Sequence, residues 1–582
     1  MTKYANISVE IIYQELVSLC NNHSLEYAHD AYVTLRNLYY YVLNNKTEDV
    51  GFSFSGPFAK LDYLIKENHL SKRLSRAINH LRVKLRFLNK YKKEELHKSL
   101  LSDIRLFSEF IQHLYHTPIP SDLLTLLPNN YQTDKSWGKH PVKDVIRVIV
   151  NHWDYTYIYA NNDTDEEITI CYSIETEAGT LTEIKDIIQK GSQLNIVRPL
   201  IKEDIYYPEF IIYEPDFLVD ISSIAESFEE YGLTPYSYLI KKLLPKRNSQ
   251  AILIGNLAGQ FLDEAVYNEH PVPYKESLNR FFRSYSLNLI TCPDLQPTVF
   301  HKEAIHQQQN LRLYTEKQLD GYRIFDPEKV LLEPSFFCET LGLQGRMDLL
   351  TEDKRILIEQ KSGKWGWPNG GHQEKHYVQM LFYLAWLRYN QHISTEEINC
   401  LLLYSKYPTE NKNLNEENGL IKEVPAPKLL FKALQLRNKI VWLEKMLQNG
   451  QATLLNSLTS SHFNNKNISN KLWNNFQKPE IERVLATIQD AEEIEKKYFF
   501  RMFTFLEKEY HLSKNGFADA WNMSTEEKIQ DGKIYTDLTL IQATDSENTG
   551  IGVDTITLQI SSDSELFCNN WIMFFYALIN KF

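Results

Sequence analysis

Apolar residues recur every three or four positions through most of the first 130 residues, as in ISVEIIYQELVSLC and DIRLFSEFIQHLYH, and this period predicts a helical N-terminal domain over 1–130. Within it, Leu74, Ile78, Leu81, Leu85 and Leu88 form one stripe of an amphipathic helix in the segment 71–98. TPIPSDLLTLLPNN, at 117–130, punctuates the pattern and marks a boundary. From 145 to 221 the period changes to that of short strands, VIRVIVNHWDYTYIYAN, EITICYSIET, QLNIVRPLI and PEFIIYEPDFLV, which predicts a small β-barrel-like domain. Trp153, Tyr155, Tyr157 and Tyr159 fall at period two there, either as the core of that barrel or as a face on which bases could stack.

A third pattern occupies 222–449. Helix-like stretches around Ala225 and Asp263 precede two apolar strands, LQGRMDLL and ILIEQK, joined by the polar turn TEDKR. The helix-like HYVQMLFYLAWLRY, the buried strand CLLLYSK and the amphipathic PKLLFKALQLRNKIVWLEKML follow. Strands alternating with helices predict an α/β core, a mixed sheet flanked by helices. After residue 449 the Asn- and Ser-rich SLTSSHFNNKNISNK reads as a linker, and 450–582 as a mixed region of helix followed by strands.

The hairpin carries the chemistry. Strand alternation sends Glu359 and Lys361 to one side and Gln360 to the other, and the turn at 351–355 brings Asp348 beside Glu359. Two converging carboxylates are a hard-oxygen site suited to Mg²⁺ or Mn²⁺ and to a phosphate that completes the coordination. Lys361 beside them is suited to orient or deprotonate a water and to offset charge on a pentavalent phosphorus, so the implied reaction is phosphodiester hydrolysis. On the following helix, His376, Gln379 and Tyr383 share a face at three and four residues. Trp365 and Trp367, in KWGWPNGG between strand and helix, either stack on bases or cap the fold.

The ordered set Gly-Arg-x-Asp at 345–348, Glu-x-Lys at 359–361 and Gln-x-x-x-Tyr at 379–383 resembles the PD-(D/E)XK nuclease superfamily in its RecB-like branch. The resemblance is nearest to the nuclease half of the nuclease–helicases that trim Okazaki flaps and resect DNA ends, and it covers roughly 145–445. FIIYEPDFLVDISSIAESF matches the upstream strand, Pro-Asp and Ser-rich helix start of that group. The resemblance implies a restriction-endonuclease-like core, an oligonucleotide-binding type of barrel before it, and Asp348, Glu359 and Lys361 as the catalytic set. It further implies a metal ligand on the helix IGNLAGQFLDEAVYN, where Asp263 stands in place of the usual His and Glu264 is its neighbour, with Glu333, Arg346 and His376 in support. Gln379 and Tyr383 are expected near the scissile phosphate.

Many of these relatives hold an iron–sulfur cluster on four cysteines, but the six here, at 20, 171, 292, 338, 400 and 568, show no CxxC, so no cluster is expected. No Walker A pattern occurs, hence no ATP site is expected in this chain. A helicase partner, or a missing helicase half, would supply the motor. The terminal apolar run WIMFFYALI, 571–579, is too short to span a bilayer, and unpatterned cysteines without a leader-like start suggest a cytoplasmic protein that does not engage membranes.

A net charge of −12 is unusual for a DNA-binding protein, but phosphate contacts are local, and the field decays over about 10 Å at moderate salt. The segment 71–98 carries ten Lys or Arg, among them Arg82, Lys84 and Arg86, and its basic face either tracks a DNA backbone or is simply solvated. The expected function is a Mg²⁺-dependent deoxyribonuclease acting on single-stranded or flapped DNA in replication, repair or recombination. A non-cutting scaffold of nuclease fold that binds DNA or loads a helicase, and a phage-defence or CRISPR-type nuclease of the same branch, are the alternatives.

Overall fold

A computed structural model describes residues 8–50, 53–54, 57–86, 88, 91–132, 144–162, 166–176, 178–245, 248–268, 270–319, 329–365, 371–408, 419–522, 524–530, 534, 538–545 and 553–559. The chain is mixed α/β. Its strands, in chain order, are β1 (Ser53–Phe54), β2 (Val145–Trp153), β3 (Tyr157–Asn162), β4 (Glu167–Cys171), β5 (Gln193–Val197), β6 (Leu200–Lys202), β7 (Ile205–Tyr207), β8 (Phe210–Tyr213) and β9 (Val219–Asp220). They continue with β10 (Val330–Leu332), β11 (Ser335–Cys338), β12 (Leu343–Arg346), β13 (Leu349–Thr351), β14 (Ile356–Lys361), β15 (Asn399–Tyr404), β16 (Leu420–Glu423), β17 (Thr539–Asp545) and β18 (Val553–Gln559).

The central sheet has the order β1-β16-β15-β14-β13-β10. Strands β10, β13 and β14 run antiparallel in turn, whereas β14 and β15 are parallel, connected through the helix Glu374–Tyr389. β15, and β14 up to Ile358, read as apolar runs because both faces are covered. On one face Ile356, Ile358, Leu401 and Leu403 pack against the helix Gln250–Tyr267, and on the other Leu357, Cys400 and Leu402 share a core with Glu374–Tyr389 and Pro427–Gln448.

The N-terminal region is helical as its period predicts, with Leu74, Ile78, Leu81, Leu85 and Leu88 all buried in one cluster. One two-residue element there is not helical: β1 extends the central sheet in parallel beside β16. Next to it Asp62 receives Lys66 at 2.9 Å and the fully buried Lys422 at 3.0 Å.

The barrel expected over 145–221 is instead an open seven-stranded sheet, β6-β7-β4-β3-β2-β5-β8, whose ends do not meet. It does not enclose a core of its own; Ile158, Ala160, Leu194 and Ile212 belong to the cluster that continues onto the central sheet. Closure is unnecessary because β8 is covered by the helix Pro427–Gln448. There Asn438 bonds both the Tyr213 amide and the Ile211 carbonyl, and the buried Arg437 donates to the carbonyls of Tyr213, Glu214, Phe217 and Gly342. Gly342 has φ +64°, and a Cβ there would lie 2.1 Å from Arg437 Nη2, so glycine is required on both counts. The aromatic stripe is likewise not a core: β3 buries the alternate residues Ile158 and Ala160, leaving Tyr157 and Tyr159 outside, and Tyr155 is 93% exposed in the turn.

The Asn- and Ser-rich segment expected to be a linker is folded, with Leu458, Phe463 and Trp473 buried beside Leu443 and Leu447. Helices Lys478–Gln489 and Glu493–Asn522 follow, then the hairpin β17/β18. The apolar run 571–579 lies outside the described residues. Among the described residues no helix is long and apolar enough to cross a membrane.

Removing Asp62 would leave the Lys422 ammonium buried without its counter-ion, a change that typically costs about 3–5 kcal/mol. Asp62→Ala is therefore expected to lower the unfolding free energy from urea titration by that amount at pH 7, and Asp62→Ala/Lys422→Met to regain most of it.

Candidate active site

The cluster expected from the motif sits where a hairpin forks. Strands β10 and β13 pair in the central sheet, and their continuations β11 and β12 pair in a separate three-stranded sheet with β9. The break falls at Glu333-Pro334 on one side and Met347-Asp348 on the other. Pro334 has no N–H to give a ladder, and Glu333 takes the left-handed conformation, φ +47°. Two bonds stitch the fork, Glu333 N to Asp348 O at 2.9 Å and Met347 N to Pro334 O at 3.2 Å.

Asp348 follows directly beyond this fork, and its Oδ2 accepts from the Gln360 amide at 2.6 Å. The alternation expected of β14 holds: Gln360 turns to Ser405 Oγ at 2.6 Å, while Glu359 and Lys361 face the opposite layer. Lys361 Nζ lies 2.5 Å from Glu359 Oε1 and 3.1 Å from Gln379 Oε1. Gln379 Nε2 donates to Tyr383 OH at 2.7 Å, and that hydroxyl donates to the Arg346 carbonyl at 2.7 Å. The Gln-x-x-x-Tyr helix therefore ties the ammonium of Lys361 to the backbone of the Gly-Arg-x-Asp strand. His376, one turn earlier, bonds Tyr404 OH at 3.0 Å.

Burial sets the electrostatics. It pushes the Glu359 carboxyl up to about 8, assisted by the charge of Asp348 and opposed by Lys361. Asp263 is raised to about 7, first by burial and then by Glu333 and Asp348, so the helix Gln250–Tyr267 brings a third acid to the fork. Asp348 is raised as well, burial outweighing the pull of Lys361. Burial disfavours the Lys361 cation, yet Glu359 and Asp348 outweigh it and the net shift is upward. His376 is lowered to about 3 by burial and by Lys361, and stays neutral. Arg346 forms an exposed ion pair with Glu333 at 2.8 Å.

A hard divalent cation fits this donor set. Every available ligand is a carboxylate oxygen, burial holds three of the carboxyls above their ordinary range, and Glu359 Oε2 is buried with no hydrogen-bond partner. Asp263, Asp348 and Glu359 do not, however, bring their oxygens as close together as the described group Glu444, Glu507 and His511, whose ligand atoms lie within 4.8 Å of one another. That second group is held by Lys242, 2.9 Å from Glu444 and 2.7 Å from Glu507.

Several expected residues lie elsewhere. Glu264 points away from the fork, its carboxylate occupied by Gln260, Ser277 and Arg280, because adjacent helical positions face different directions. Lys84 is buried and paired with Asp103 at 2.6 Å, so it does not belong to a solvent-facing basic surface. Arg82 is half-buried beside Asn79, and Arg86 is exposed. Trp365 stacks on Tyr407 at 3.5 Å, while Trp367 lies outside the described residues. Asp216 of the Pro-Asp pair binds Arg147 at 2.9 Å. It is Asp220, capping the helix Ile221–Glu226, whose charge acts on Tyr383, and Glu226 that acts on Lys361; the N-cap position before ISSIAE is the signal that marks Asp220. The five described cysteines are free and buried, and Cys568 lies outside the described residues.

No protein-family model matches this chain, and no curated protein matches it in sequence.

With its carboxyl raised from 4.5 to about 8, folded Glu359 keeps a proton that the unfolded chain has lost, so its contribution to stability falls as pH rises through that window. Glu359→Gln is expected to raise the melting temperature of the metal-free protein at pH 8. Mg²⁺ or Mn²⁺ should stabilise the wild type and not this variant, with the wild-type effect growing from pH 6 to pH 8, which scanning fluorimetry would read.

Proposed function

We propose that this chain is a metal-dependent nuclease of the PD-(D/E)XK superfamily, RecB-like in its motifs, that hydrolyses phosphodiester bonds in single-stranded or flapped DNA. The observation that carries the reading is the convergence of Asp348, Glu359 and Lys361 at one fork, with Glu359 Oε2 buried and unpartnered and Gln379 holding Lys361. The strand sequence β10, β13, β14, β15, with a helix before it and another between its parallel pair, supports a restriction-endonuclease-like core.

Asp348 and Glu359, with Asp263, are the residues that would hold Mg²⁺ or Mn²⁺. When bound, such an ion neutralises phosphate charge and lowers the pKa of a coordinated water. Lys361 supplies the protein's own cation. Held by Glu359 and Gln379, its ammonium orients a water at the phosphorus and offsets the charge that accumulates on the phosphoryl oxygens. Tyr383 and Gln379 fix Lys361 against the Arg346 carbonyl, and a neutral His376 adds no competing charge. Arg346, whose pair with Glu333 is exposed, is free to exchange that carboxylate for a phosphate.

Purified protein with Mg²⁺ or Mn²⁺ is expected to degrade end-labelled single strands, and Asp348→Asn or Lys361→Met to lower the rate by about two orders of magnitude or more. Gln379→Ala, which frees Lys361 without removing it, should cost roughly ten-fold. Digestion that persists at the wild-type rate in both Asp348→Asn and Lys361→Met would rule out this site.

A further inference from the structure

The three-stranded sheet that leaves the fork presents an outer face to solvent. By strand alternation and the register of β11 on β12, Phe337, Gln344 and Arg346 share that face. Together with Phe517 of the helix Glu493–Asn522 they line an open groove of about 770 Å³. Phe337 meets Phe517 edge-on, with ring centres 6.2 Å apart. Around the free edge of β11 the groove continues over Phe336 and Trp386, whose centres lie 4.7 Å apart, and reaches the amides of Asn390 and Gln391. Phe336 is also edge-on to Tyr383 at 5.6 Å, so the groove and the fork share a wall.

Rings beside side-chain amides suit flat bases and Arg346 suits a phosphate, while the one carboxylate in the lining, Asp220, is engaged in capping the helix Ile221–Glu226. A duplex would not use the rings, because its bases are paired inside and offer no face. A peptide could offer Arg346 a carboxylate, but it does not carry a flat ring on every unit for the aromatic wall to stack on.

We propose, resting on the nuclease reading above, that this groove holds the unpaired nucleotides flanking the bond to be cut, with a base stacked against Phe337 and Phe517 and a phosphate on Arg346. Specificity for single strands then comes from a wall that the helix Glu493–Asn522 adds to the core.

The test uses full-length protein and a 20-nucleotide oligo(dT) carrying one 2-aminopurine at successive positions. In EDTA, adding protein should quench the probe several-fold at one or two neighbouring positions, and the same probe inside a blunt duplex, already quenched by its stacked neighbours, should show no further change. With Mg²⁺, Phe337→Ala and Phe517→Ala should each raise KM for the 20-mer about ten-fold, with kcat changed less than two-fold. Wild-type protein that cuts the 20-mer without any position-specific quench, or variants with unchanged KM, would overturn the groove while leaving the nuclease reading intact. Quench and binding without cleavage under Mg²⁺ or Mn²⁺ would support the groove and sink the nuclease reading. The quench is measured on wild-type protein, so it holds even where a variant fails to fold.

Discussion

Three carboxyls raised by burial, those of Asp263, Asp348 and Glu359, gather at the fork of a single hairpin, where the charge of Asp348 bears on both of the others and Lys361 is the cation beside it and Glu359. Buried like charges are expensive to gather, so the surrounding elements are organised to hold them in place. Pro334 and the left-handed Glu333 split the hairpin between two sheets. The helix Glu374–Tyr389 secures Lys361 through Gln379, and apolar layers on both faces of β14 keep its strand straight beneath the charges. A cluster of this kind costs stability, and the opposing contribution comes from the cores around it.

The motif carried most of the site to the reader of the sequence because it is local. Asp348, Glu359, Lys361, Gln379 and Tyr383 lie within 36 residues of one another on a hairpin and the next helix, where periods of two and of three to four decide which side chains meet. The fork itself was not legible. Its split into two sheets depends on β9, a two-residue strand more than a hundred residues earlier that pairs with β12. Glu264 shows the same limit at finer scale: sequence places it beside Asp263, but only the packing of Ser277 and Arg280 determines where it turns.

Regions read from composition fared less well than those read from period. The polar segment after residue 449 is folded because a few apolar residues, Leu458, Phe463 and Trp473, are enough to anchor it to a helix already present. Over 145–221, short strands were correctly expected, yet whether such strands close on themselves is determined by what else can cover their edges. Lys84 illustrates the converse. A lysine among many on a helix reads as surface charge until Asp103, on the next helix, is seen to neutralise it.

Arg437 gives the open sheet a role beyond architecture. Its guanidinium serves carbonyls from the segment after β8 and from Gly342, on the turn leading into β12, and so it spans the two halves of the molecule with hydrogen bonds that neither half can satisfy alone. A fragment beginning at 222 would leave the Arg437 guanidinium with one of its four carbonyl partners, and a fragment ending at 221 would leave the other three carbonyls bare. Evolutionary exchange of the amino-terminal sheet for another module would therefore demand a matching change at position 437, and the half that carries the fork is not a cassette that can be lifted out by itself.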